Sequence, residues 1–164
     1  MKRLSRREKN EIIRESQRGA GPGWTPEMLA RKEKSLGPNP FGGQNHDTLG
    51  CKFFQVGLWP HAIHEFELAV KINPWKAQFK VHLSIAYLAA GQIEKADQLA
   101  EAAIVQAPTL ASAALAVARV SERKGDRLAA RAWFERCLTF RPDWEVRREA
   151  EESLRALQQA LERA

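Results

Sequence analysis

The sequence predicts an all-α protein built from stacked helical pairs, and three observations carry that expectation. Pro40, Pro74, Pro108 and Pro142 recur every 34 residues. Gly23, Gly57, Gly91 and Gly125 keep the same step, as do Ala62, Ala96 and Ala130. Between these points the apolar residues follow helical spacing. A fixed period of this length marks a repeat array, because one helical pair cannot bury its apolar face alone and needs neighbours.

Residues 1–42 stand apart as an N-terminal extension. Ser5-Arg6-Arg7-Glu8 fits a capping box, which predicts a helix over about residues 5–18. Gly19-Ala20-Gly21-Pro22-Gly23 breaks it, and Thr25-Pro26 reads as a cap with proline at the first helical position, opening a short helix to about Leu36. Gly23 and Pro40 are in phase with the repeats, yet Met28, Lys32 and Ser35 stand where small or aromatic core residues belong. The segment therefore reads as a divergent cap, with a degenerate repeat as the alternative, joined by a stiff connector over residues 37–43 that contains Pro38, Pro40 and Phe41.

Three repeats follow, over residues 43–76, 77–110 and 111–144. Their first helices carry Leu49, Phe53 and Val56, then Leu83, Ala86, Tyr87 and Ala90, then Ala114, Val117 and Ala118. Gly57, Gly91 and Gly125 each end the first helix, since glycine takes the left-handed conformation that lets the chain reverse. The second helices carry Ala62, Ile63, Phe66, Ala69 and Val70, then Ile93, Ala96, Leu99, Ala100, Ala103 and Ile104, then Leu128, Ala132, Phe134, Cys137 and Leu138. Proline stops each one, because it donates no backbone hydrogen bond and restricts the residue before it. Residues 145–164 add a last helix, whose Val146, Ala150, Leu154, Leu157 and Leu161 form one apolar stripe. Its other face is charged, as a helix covering the open end of the array must be.

These residues resemble the tetratricopeptide repeat family. The shared features are a 34-residue helix–turn–helix unit, a small residue in the first helix (Gly50, Ser84, Ala118) and an aromatic one turn later (Phe53, Tyr87). Alanine at the tight crossing (Ala62, Ala96, Ala130) and the closing proline complete the set. The match covers residues 43–144. Ser121, where an aromatic is expected, and Ala100, where a large side chain is usual, depart from it and imply thinner local packing.

The resemblance implies a right-handed α-solenoid that binds other proteins on a concave surface lined by the first helix of each pair. Carried over, the groove positions are Gln44, Asp47, Cys51, Phe54 and Gln55, then Gln78, Val81, Ile85, Leu88 and Ala89, then Ser112, Leu115, Arg119, Glu122 and Arg123. Some members grip a partner's C-terminal carboxylate with lysine and asparagine; here those places hold Asp47 and Cys51, then Val81 and Ile85, so that chemistry is absent. What remains is a mostly apolar stripe (Phe54, Val81, Ile85, Leu88, Leu115) ending at two arginines. It suits an amphipathic helix or extended apolar peptide, with Arg119 or Arg123 pairing to an acidic residue of the partner. The alternative is self-occupation, with Trp24, Met28, Leu29, Leu36 and Phe41 folded back into the groove.

Charge is unevenly placed. Residues 1–43 hold ten Lys/Arg against five Glu, a surplus of five out of the net +6 carried by all 164 residues. The arm (Lys2, Arg3, Arg6, Arg7, Lys9, Arg14, Arg18) reads either as a solvated, partly disordered tail of no specific role or as a docking arm for an acidic protein surface. A phosphate-contacting role on nucleic acid and a membrane-surface role are weaker readings, since aromatics are lacking before Trp24 and Leu4, Ile12 and Ile13 make a small apolar face.

Two cysteines, Cys51 and Cys137, fit free thiols in a reducing compartment. With neither a secretory pattern nor a transmembrane run, the expected location is cytoplasmic. His61 and His64 lie three apart on one helix, but without further ligands at suitable spacing they read as solvated, and neither metal nor cofactor is expected. Trp59, Trp75, Trp133 and Trp144 read as packing residues, with Trp75 and Trp144, near the edge of the groove, as alternative partner anchors. No nucleophile–base pair, phosphate-cradling loop or paired carboxylates are present at a defined spacing, so an enzyme is not expected. The function expected is that of an adaptor or assembly subunit. The alternatives are a nucleic-acid-associated protein and a dedicated chaperone for one enzyme or secretion component.

Overall fold

Each 34-residue period folds as two helices joined at a glycine. The computed structural model describes residues 43–162; the two helices expected before Leu36, the basic arm and the residues proposed to fold back all lie outside that range. The described helices are α1 (Gly43–Gln55), α2 (Trp59–Ile72), α3 (Ala77–Ala89), α4 (Ile93–Gln106), α5 (Ala111–Arg123), α6 (Arg127–Thr139) and α7 (Trp144–Glu162). No strand occurs among the described residues. None of these helices is long and apolar enough to cross a membrane.

The helix reversals repeat in atomic detail. Gly57, Gly91 and Gly125 adopt φ of 77°, 77° and 83°, the left-handed region that side-chain-bearing residues avoid. The residue after each glycine closes the turn from its backbone N–H: Leu58 to Phe53 O at 2.9 Å, Gln92 to Tyr87 O at 2.9 Å and Asp126 to Ser121 O at 3.0 Å. These bonds satisfy carbonyls that a helix end leaves orphaned. Asp126 adds a side-chain cap, accepting from the Ala129 amide at 2.9 Å.

By packing, the chain divides at Pro74 into two compact units. In the first, α1 packs on α2 through Leu49, Phe53, Ala62, Phe66 and Ala69, all buried. Gly50 permits this crossing: a Cβ there would lie 2.6 Å from the Phe66 ring. The same unit buries His46, Asp47, Lys52 and Glu65, with His46 Nδ1 and Glu65 Oε2 2.7 Å apart. Burial lowers the pKa of the Lys52 ammonium. His61 and His64 are exposed, the His61 ring centroid lying 5.2 Å from that of Phe53.

In the second unit α3 pairs with α4 and α5 with α6, while α5 also packs on α3 and α4. Helix α7 takes the corresponding place against α5 and α6. The small position of the repeat is used differently in each pair. Ser84 Oγ donates to the Ala96 carbonyl across the crossing at 2.7 Å, and the fully buried Ala100 lies one turn further along α4. Ala118 instead shares a core with Ala130, Phe134, Cys137, Ala150 and Leu157, with Val146 and Leu154 partly buried against it. Ser121 turns its hydroxyl to the Val117 carbonyl at 3.0 Å.

Several apolar residues expected inside are outside. Leu128 is 74% exposed and Ala132 is exposed, because each lies two residues from a member of the buried stripe Ala130–Phe134–Cys137. Two residues on an α-helix is about 200° of rotation, which turns the side chain to solvent. Val56 lies beyond the end of α1 and is partly exposed. Among the described tryptophans, Trp133 packs against the core shared by α5, α6 and α7, whereas Trp59 is partly exposed, Trp75 is 87% exposed and Trp144 66%. Trp75 precedes α3 and Trp144 opens α7, where the Arg148 guanidinium lies over its ring at 5.2 Å, so neither is covered by a helix face.

Two glycine substitutions separate the two constraints. Gly50→Ala forces the Phe66 ring to move and is expected to cost about 1–3 kcal/mol. Gly91→Ala meets open space and should cost only the left-handed penalty, about 1–2 kcal/mol. In urea unfolding, Phe66→Leu should recover part of the loss on the Gly50→Ala background and none on the Gly91→Ala background.

Candidate functional site

The 34-residue register runs on from α3 and α5 into α7. Rows across these three helices read Gln78–Ser112–Val146, Val81–Leu115–Glu149 and Ile85–Arg119–Ser153. The first two rows, with Ile85, line a cleft of about 540 Å³ within the second unit. The loops Thr109–Leu110 and Phe140–Asp143 close it at the end where the helices begin.

Its floor is apolar and tightly set. Val81 and Leu115 are buried, whereas Ile85 is half-buried and open to the cleft. Phe140 and Val146 form the wall toward α7, both resting on the core beneath. A polar edge follows: Ser112 Oγ donates to Gln78 Oε1 at 2.8 Å. The Gln78 amide nitrogen sits 2.8 Å from His82 Nε2, a contact in which that ring nitrogen accepts. These groups satisfy one another and hold the Gln78 side chain in one orientation.

The α7 side carries the charge. Asp143 Oδ1 caps α7, accepting from the Val146 amide at 2.9 Å, and Glu145 stands exposed in its first turn. Glu149 Oε1 accepts from Arg119 Nε at 2.9 Å and Nη2 at 2.7 Å, while Arg119 Nη1 lies 3.3 Å from Glu122 Oε2. Arg141 sits in the left-handed region at φ 52°, unlike Asn73 (φ −129°) and Ala107 (φ −134°) at the same register. Helix α6 accordingly ends at Thr139, one residue before the place its counterparts end, and Phe140 caps it from the wall of the cleft.

Of the residues named from sequence, the cleft brings together Gln78, Val81, Ile85, Ser112 and Leu115. Leu88 is only 8% exposed and is not on its lining, and Ala89 is half-buried. Asp47 is buried, Cys51 and Phe54 are half-buried, and Gln44 and Gln55 are exposed, all on α1 of the first unit. The expectation of an open apolar stripe is thus reduced in the second unit to Ile85 and, elsewhere on the lining, Phe140 and Val146. Arg119 is not held out to a partner: the Val81–Leu115 row continues as Glu149, and that carboxylate takes its guanidinium. Arg123 is exposed at the end of α5. The whole α7 side was missed by reading that helix only as a cap; adding one period to Ser112 and Leu115 would have found Val146 and Glu149.

Neither Cys51 nor Cys137 is in a disulfide. Cys137 is buried beneath Ala111, its Sγ 3.3 Å from that carbonyl, and burial pushes its thiol up to about 11. A raised folded-state value means that its contribution to stability is complete below the ordinary value of 9.0 and is lost as pH rises through about 11. Denaturation midpoints should therefore fall between pH 9 and 11 more steeply for the wild type than for Cys137→Ala.

No protein-family model matches the sequence, and no curated protein matches it. Solved structures do. The Sgt2 TPR domain from Aspergillus fumigatus is 22% identical, over 78% of this chain and 83% of that one, with a TM-score of 0.66. The first TPR domain of human RPAP3 is 20% identical over 75% and 94%, also with a TM-score of 0.66. The Yersinia enterocolitica type III secretion chaperone SycD, solved with a peptide of the translocator YopD, is 16% identical over 71% and 92%, with a TM-score of 0.61. The fold of this chain is that of a tetratricopeptide-repeat domain.

Proposed function

We propose that the chain is a protein-interaction adaptor or assembly subunit whose cleft between α3, α5 and α7 receives an apolar or amphipathic segment of a partner. The observation that carries this reading is the half-buried Ile85, which lines a preformed cleft together with Phe140 and Val146. Gln78, His82 and Ser112 at its edge are already hydrogen-bonded to one another, so an entering apolar side chain strands none of the three. Two or three aliphatic anchors contribute roughly 1.5–3 kcal/mol each before association costs, enough for micromolar affinity. The peptide held by SycD, a protein of the same fold, supports the same mode of use. The basic arm adds a second, electrostatic contact that weakens with salt. A permanent subunit and a dedicated chaperone use the same surface and fall under the one reading.

Ile85→Glu places a charge at the open part of the cleft without touching its floor. It should abolish capture of partners from host extract while helical content stays at the wild-type value. Leu88→Glu is not an equivalent test, because Leu88 is buried and its loss would disturb the fold. Capture that survives Ile85→Glu but disappears when the arm is removed or salt is raised would make the arm the binding element instead.

A further inference from the structure

Resting on that docking reading, we infer that the cleft selects a partner segment that carries lysine or arginine beside its apolar anchor. The sequence alone pointed to the opposite charge, because the groove positions of α5 end in Arg119 and Arg123. Arg119 is withdrawn from the cleft, its guanidinium engaged by Glu149 and Glu122. The charged groups on the lining are Asp143, Glu145 and Glu149 against the single cation Arg141. Glu149 is answered by Arg119, which leaves Asp143 and Glu145 as the carboxylates next to Val146 and Phe140. Both stand at the start of α7, and Asp143 Oδ1 already accepts from the Val146 amide there.

An incoming carboxylate would be pressed against like charges as water leaves, and an incoming ammonium or guanidinium would meet charge-assisted acceptors. Like-charge juxtaposition at an interface is a strong means of rejecting wrong partners. The local sign also runs against that of the whole chain, which carries a net +6. Non-specific attraction therefore favours an acidic ligand, and a preference for a basic one has to come from the cleft.

The probes are two fluorescent synthetic amphipathic helices, one of leucine and lysine and one of leucine and glutamate. Anisotropy titration with the full chain should give about tenfold tighter binding of the lysine helix, the equivalent of roughly one well-placed charge contact. Glu145→Lys should remove most of that preference, and Ile85→Asn should weaken both helices. Equal affinities, or tighter binding of the glutamate helix, with both still sensitive to Ile85→Asn, would overturn the charge selection and leave docking intact. If neither helix binds, or binding ignores Ile85→Asn, the docking reading fails and the selection with it.

Discussion

The structure depends on a close approach of two helices that is set once per 34 residues. The first helix must offer a side chain small enough for its partner to lie against it, and the glycine between them must take a left-handed turn that brings the partner back. Gly50 against Phe66 is the tightest case, since even a methyl group would overlap the ring. Ser84 against Ala96 meets the same need by trading bulk for a hydrogen bond. Ala118 meets it in a core shared with Phe134. Within the second unit the apolar face that each pair leaves open is covered by the next helix, and helix starts at Gly43, Ala77 and Ala111 keep the period.

The cleft arises where this regularity is changed. Continuing the rows onto α7 replaces an aliphatic floor residue by Glu149, which draws Arg119 across and closes that end of the floor. At the other end, the early stop of α6 and the left-handed Arg141 bring Phe140 onto the wall. A left-handed conformation at a residue with a side chain costs of order 1–3 kcal/mol and persists only where its surroundings require it. Here the departures from the repeat cluster around one concave surface, and the reading of that surface as a docking site draws on their coincidence.

Much of the fold was legible from spacing alone. The prolines, glycines and alanines at a common step locate the crossings, and the left-handed angles at Gly57, Gly91 and Gly125 are those the turn requires. Side-chain direction was less legible. Leu128 and Trp144 look like core residues in a list and are solvent-facing in the structure, because hydrophobicity without phase does not say which way a helix turns. The site was legible in part. Gln78, Val81, Ile85, Ser112 and Leu115 follow from the family's groove positions, but the fate of Arg119 depends on a carboxylate 30 residues away on a helix read as a lid. Ion pairs across elements leave no local pattern in a sequence.

The most direct measurement is site-specific photocrosslinking of the full chain in its host, with a photoreactive side chain placed at position 85 or, on the exposed face of α6, at position 131. A discrete adduct from position 85 and none from position 131 is the result this reading predicts. An adduct from position 131 alone would place the partner on the opposite face and contradict it.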